Sequence, residues 1–150
     1  MLVGEGPGRE EDLAGEPFVG RSGRLLDQLL AEELEMTRAQ CYIANVVKCR
    51  PPNNRDPEPA EVAACRHFLD GQLAVIAPSV VVTLGNFATR ALLQTTDGIT
   101  KLRGRVHRAG GRAVVPTFHP AAALRGGGVV LAQMRADFVR AKLLLGEHVG

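Results

Sequence analysis

Apolar positions along this chain follow two spacings. Short runs stand at Met1-Leu2-Val3, at Cys41-Tyr42-Ile43-Ala44-Asn45-Val46-Val47, at Val80-Val81-Val82-Thr83-Leu84 and at Ala113-Val114-Val115. Between them, apolar residues recur at intervals of three and four: Leu25, Leu26, Leu29, Leu30 and Leu34, then Val62, Leu69 and Leu73 with Cys65 or Arg66 between. Ala91 and Leu92 mark a third such segment, and Leu131, Met134, Phe138 and Leu145 a fourth. The first spacing predicts strands and the second predicts helices with one buried face. Their alternation predicts an α/β fold, a three-layer α/β/α domain over residues 1–150 with a short, mainly parallel four-stranded sheet. The β-branched run at 80–84 is expected to be buried on both faces. Ser22 stands where it could cap the first long helix, and Pro59 is tolerated in the first turn of the next. The stretch Pro51-Pro52-Asn53-Asn54-Arg55-Asp56-Pro57 can be neither strand nor helix.

In parallel sheets of this kind, ligands bind in the loops at the carboxyl ends of the strands. Those ends carry Glu5, Asn45, Gly85-Asn86 and His119, so groups suited to acid–base or hydrogen-bonding work converge on one edge. Gly4-x-Gly6-x-Gly8 superficially resembles a dinucleotide fingerprint. Its third glycine comes one residue early, no helix is expected directly after it, and Glu5 would set a carboxylate against a pyrophosphate. A nucleotide cofactor is therefore not expected. The glycines, Gly6 among them, instead let the backbone approach a ligand that Glu5 faces.

A chain of 150 residues, 45 % of them hydrophobic, can bury a core without disulfides. No apolar run is long enough to span a membrane, and no secretory leader is visible. Three cysteines, an odd number, point to a reducing, cytoplasmic setting rather than a disulfide scaffold. The net charge of +2 conceals a segregation. Acids dominate residues 1–35, whereas Lys101 to Arg135 contains no acid but holds Lys101, Arg103, Arg105, Arg108, Arg112, Arg125 and Arg135. Such a stretch suits a phosphate backbone, although a solvated basic surface would carry the same charges.

Five blocks then make a specific match. Gly4-Glu5-Gly6-Pro7-Gly8-Arg9-Glu10-Glu11-Asp12, with Gly15-Glu16-Pro17-Phe18-Val19-Gly20-Arg21-Ser22-Gly23, resembles the first motif of the iron–sulfur, type-4 uracil-DNA glycosylases. Ala44-Asn45-Val46-Val47-Lys48-Cys49-Arg50-Pro51-Pro52-Asn53-Asn54-Arg55 is similar to the second. Val82-Thr83-Leu84-Gly85, Ile99-Thr100-Lys101-Leu102-Arg103-Gly104 and Pro116-Thr117-Phe118-His119-Pro120 resemble the later ones, in the same order.

The resemblance implies hydrolysis of the N-glycosidic bond of deoxyuridine in DNA, with release of uracil and formation of an abasic site. It implies that Phe18 stacks on an extruded uracil and that Asn45 reads the edge of the base. His119 would donate a hydrogen bond to the uracil oxygen as negative charge develops there. Glu5 would orient water or stabilise positive charge on the sugar. Glu11 is close enough to share the site or to bind a neighbouring backbone group. Leu124 could fill the gap left by the base, with Arg125 on a phosphate. Cys49 and Cys65 match two of the four ligands of a 4Fe–4S cluster, the other two belonging to a Cys-x-x-Cys before the first strand. Met1-Leu2-Val3 is short for a central strand, so a truncated N-terminus is expected, with loss of the cluster as the other possibility. Cys41 matches no ligand position and is expected in the core. The chemistry should need neither a nucleotide nor a divalent cation, and the protein is expected to be a monomer. One alternative is a relative that binds uracil or damaged sites in DNA without turnover. Another bonds covalently to the abasic sugar through a histidine, for which His107 is the candidate.

Overall fold

The computed structural model describes the backbone of residues 1–149 and, apart from Asn54, His148 and Val149, their side chains. In chain order the elements are β1 (Leu2–Gly4), α1 (Arg9–Ala14), α2 (Arg21–Leu29), β2 (Ile43–Asn45), α3 (Pro59–Ile76), β3 (Val80–Leu84), α4 (Asn86–Leu93), α5 (Ile99–Leu102), β4 (His107–Ala109), β5 (Arg112–Thr117), α6 (Pro120–Gly126) and α7 (Gly128–Val149). A π-helical turn, Leu30–Leu34, continues α2, and 3-10 turns occupy Arg38–Gln40 and Pro52–Asn54.

The strands form one sheet in the order β2-β1-β3-β5-β4. β1 pairs in parallel with β2 and β3, β3 in parallel with β5, and β4 runs antiparallel to β5. All five residues of β3 are buried, as its β-branched run predicts. Val80, Val82 and Leu84 face one core with α2 and α7, while Val81 faces a second with α3 and α4. Helices thus cover both faces, and the α/β class is as expected.

Four local expectations are corrected. The sheet has five strands rather than four. The extra one, His-Arg-Ala at β4, is an edge strand whose partly exposed, polar sequence carries no apolar signal. A helix does follow Gly8 directly: α1 begins at Arg9, its first turn carrying Glu10, Glu11 and Asp12, where carboxylates favour the positive end of a helix dipole. Ser22 is not a cap, because α2 begins at Arg21 after Gly20 and its N-cap makes no side-chain bond. The basic stretch is also not all free for phosphate. Arg103 grips the fully buried Asp137 through Nε and Nη2, both at 2.9 Å, and Arg135 pairs with Glu32 and Glu33 at 2.6 and 2.7 Å. Cys41 lies partly buried against the core, where burial pushes its thiol pKa up.

Candidate active site

At the carboxyl ends of β1, β2 and β5 the chain leaves the sheet around a cavity of about 430 Å³. Glu5, Gly6, Glu11, Phe18, Asn45, His119 and Arg125 all line it, together with Ser22 and Arg55. A pocket of that size accommodates a single flat ring with part of what it is attached to. Leu124 stands outside the wall, 42 % exposed on the short α6 helix beside Arg125. His107 is not brought here; it sits in β4 with Nε2 at 2.9 Å from the Leu102 carbonyl.

His119 enters the cavity because β5 ends at Thr117 and Pro120 starts α6, with a ring suited to a first helical turn. As the N-cap of α6, His119 accepts the Ala121 N–H on Nδ1 at 3.0 Å. Burial, with the Arg125 charge as the second cause and Glu11 opposing, pulls its pKa down to about 4. The ring is therefore neutral at pH 7, and an occupied Nδ1 places the single proton on Nε2. Here the histidine is a hydrogen-bond donor without a positive charge.

Asn45 ends β2. Its side-chain oxygen is buried without a partner among the described residues, a state that carries a desolvation penalty unless a ligand supplies a donor. The backbone beneath it is tied down, since Lys48 Nζ donates to the Asn45 carbonyl at 2.5 Å and to Gln72 Oε1 at 2.6 Å. Gly4 lies against both Asn45 and Phe18. A Cβ there would stand 2.6 Å from the Phe18 ring and 2.8 Å from Asn45 Oδ1, so only glycine leaves the two in place.

Phe18 is 6 % exposed, with its ring centroid 5.5 Å from that of His119 at 33°. Its backbone is left-handed, at φ 52. Glu11 accepts the Gly8 N–H at 3.0 Å on one oxygen and the Val19 and Gly20 N–H groups at 3.1 Å on the other. Glu11 therefore both lines the cavity and binds neighbouring backbone groups. Among the described residues no hydrogen bond reaches the Glu5 carboxylate, and burial, then the nearby Asp56 charge, raises its pKa. Arg55 at the rim is bound to Glu61 through both terminal nitrogens, at 2.6 and 3.1 Å.

Two groups escaped the sequence reading. Arg38 holds the loop that carries Phe18, and Lys48 holds the end of the strand that carries Asn45. Lys48 stands inside a recognised block, three residues after Asn45, whereas Arg38 stands in no motif and gives no signal.

Cys49 and Cys65 lie apart from the cavity. Cys49 is exposed, and Cys65 Sγ accepts the N–H of Lys48, the residue before Cys49, at 3.4 Å. The backbone next to Cys49 thus contacts the Cys65 thiol. The two cysteines supply half of what a cubane cluster needs. Among the described residues no group of three or more His, Cys, Asp or Glu side chains is placed to hold a metal ion. No described helix is long and apolar enough to cross a membrane.

A family model, that of the uracil DNA glycosylase superfamily, matches residues 1–141. The chain is 54 % identical over 130 residues to a type-4 uracil-DNA glycosylase of Thermotoga maritima, covering 83 % of this chain and 66 % of that protein. Type-4 uracil-DNA glycosylases of Sulfurisphaera tokodaii and Archaeoglobus fulgidus are 48 % and 47 % identical, each over 132 residues and 83 % of this chain. The chain spans 60 % and 66 % of those two proteins.

Proposed function

We propose that this chain, which belongs to the uracil DNA glycosylase superfamily, removes uracil from DNA by hydrolysing the N-glycosidic bond of deoxyuridine. One observation carries the reading. A buried amide oxygen, on Asn45, without a partner among the described residues shares a base-sized cavity with a neutral histidine whose Nδ1 is taken by the Ala121 N–H, which leaves Nε2–H as the donor. Uracil complements both. Its N3–H would satisfy Asn45 Oδ1, a carbonyl would take the Asn45 amide N–H, and another would accept from His119. A cytosine would turn a bare ring nitrogen toward Asn45 Oδ1 and leave that oxygen unsatisfied, a mismatch that hydrogen-bonding sites reject strongly.

The base reaches this cavity only after leaving the stack, and Phe18 offers it a face on which to stack. As the C1′–N1 bond breaks, its electron pair passes to the base. His119 donates to the oxygen that gains the charge, and needs no prior protonation to do so. Glu5 serves the sugar side, where a carboxylate stabilises oxocarbenium-like charge and orients the water that adds to C1′. Its interaction with a cation is strengthened by the burial that raises its pKa. Arg125 at the mouth suits a phosphate, and the exposed Leu124 beside it suits the vacated stack. Cys49 and Cys65 would hold part of a 4Fe–4S cluster, a reading supported by the Lys48 N–H contact that brings the backbone next to Cys49 to the Cys65 thiol. The partner is uracil-containing DNA, met by a monomer in the cytoplasm.

The test is uracil release from an oligonucleotide with one uracil, against a cytosine control. Wild type should release uracil alone. His119→Ala should slow the single-turnover step by about 10²–10³, the usual effect of losing one transition-state hydrogen-bond donor. DNA binding without any release would replace this reading with that of a non-catalytic DNA-binding relative.

A further inference from the structure

We propose that Arg38 is a positioning residue for the Phe18 ring, acting through a guanidinium clamp on the backbone that presents it. The inference rests on the proposed reaction for its functional meaning, but its structural content stands alone. Phe18 occupies the left-handed region, at φ 52, which a bulky side chain adopts only when its surroundings impose it. Arg38 imposes it from one side. Its Nη1 donates to the Pro17 carbonyl at 2.6 Å and its Nη2 to the Phe18 carbonyl, while Nε is fixed by Asp27 Oδ1 at 2.9 Å.

Glu11 acts from the other side, taking the N–H groups of the next two residues, Val19 and Gly20. Two successive carbonyls are thus held by a cation, and the two amides that follow by an anion. The Phe18 carbonyl is also pressed against α2. A Cβ added to Gly23 would lie 1.8 Å from its oxygen, so the loop has no second place to sit. The outcome is a ring held 5.5 Å from His119 by a residue that does not itself line the cavity. A planar fork is what the task requires. A lysine ammonium could not span two carbonyls and keep the Asp27 anchor.

The experiment compares wild type with Arg38→Met, Arg38→Lys, Asp27→Asn, Phe18→Ala and the Arg38→Met/Phe18→Ala double variant. It reads single-turnover uracil release, KM for DNA and amide hydrogen exchange. Arg38→Met should lower the rate about tenfold, the loss expected for hydrogen bonds to a charged group, with KM changed less than about twofold because phosphate contacts are untouched. Arg38→Lys should fall between. Combined with Phe18→Ala, Arg38→Met should bring no further loss, because both act through one ring. Exchange at Val19 and Gly20 should accelerate while β3 keeps its protection.

A folded Arg38→Met variant with the wild-type rate would overturn the proposal, as would a loss that adds to that of Phe18→Ala or unchanged exchange at Val19 and Gly20. Should Arg38→Met not fold, Asp27→Asn decides, since it frees the guanidinium without removing it: a several-fold slower rate supports the clamp and an unchanged rate refutes it. A wild type that releases no uracil sinks the reaction instead, and the exchange comparison then judges the clamp by itself.

Discussion

The two faces of the sheet are packed to different depths. On one, α2 and α7 close over a cluster of fifteen buried residues that includes Phe138, Met134 and Leu26, among the described residues. On the other, α3 and α4 close over seven. Helix α3 has eighteen residues yet buries only Leu69 and Leu73, leaving Phe68 53 % and Val75 85 % exposed. The proposed working groups divide along the same line. Phe18 belongs to the deep cluster, and His119 follows the strand that packs against α7. Cys65 rides on α3. Aromatic placement within tenths of an ångström needs a dense, incompressible backing, and only the deep face provides it.

Substitution tests this contrast directly. Phe138→Ala should destabilise by about 3–5 kcal/mol, and Leu73→Ala on the thinner face by about 2 kcal/mol, read from denaturant midpoints at constant slope. Equal losses would break the comparison. Gly23→Ala comes next, at about 1–3 kcal/mol, because the added methyl meets backbone rather than a flexible side-chain end. Its release of uracil should fall further than its stability, since the displaced atom is the Phe18 carbonyl. Hydrogen exchange sharpens the contrast in the same direction: amides of α3 should open at lower free energy than those of α7.

A smaller effect concerns pH. His119 has a folded pKa of about 4 against 6.5 unfolded, so between those values the unfolded chain binds more protons. Its contribution to stability is full above pH 6.5 and is lost as pH falls toward 4. His119→Gln should flatten that part of the stability curve. Protonation of His119 should not limit uracil release at pH 6, whereas protonation of Glu5, whose pKa is raised, should set the acid limb. An acid limb that stays unchanged in the residual activity of Glu5→Gln would contradict the assignment to Glu5. Least of all should Lys142→Met matter: its pair with Glu35 is solvent-exposed, and an unchanged denaturation midpoint is expected.

Much of this architecture is legible in the residue pattern. The β-branched run at 80–84 announces a strand buried on both faces, and the spacing of Met134 and Phe138 announces the buried side of α7. Glu5, Asn45 and His119 could be placed on one sheet edge from strand ends alone. What stayed hidden has physical causes. β4 is a three-residue edge strand held by backbone pairing to β5, so its side chains need no apolar pattern. α1 is only six residues long and buries none of them, which removes the periodicity that reveals a helix. Arg103 and Arg135 read as surface charge because their partners, Asp137 and Glu32 with Glu33, are distant in sequence. Arg38 was silent for the same reason: its work is done on carbonyl groups, which every residue possesses.

The pairing of β1 has a consequence for how the molecule comes into being. The strand that delivers Glu5 is flanked by β2 on one side, but its other flank waits for β3, with Leu2 opposite Val82. The Met1 nitrogen likewise donates to the Val80 carbonyl at 3.1 Å. His119 comes later still, beyond the strand that pairs with β3. A nascent chain therefore carries Glu5, Phe18 and Asn45 before it has a complete cavity. Long-range closure of this kind is slow relative to local helix formation. The groups gathered at the cavity come together only when strands far apart in sequence have paired, and a fragment that stops before β5 has no His119 to complete the wall.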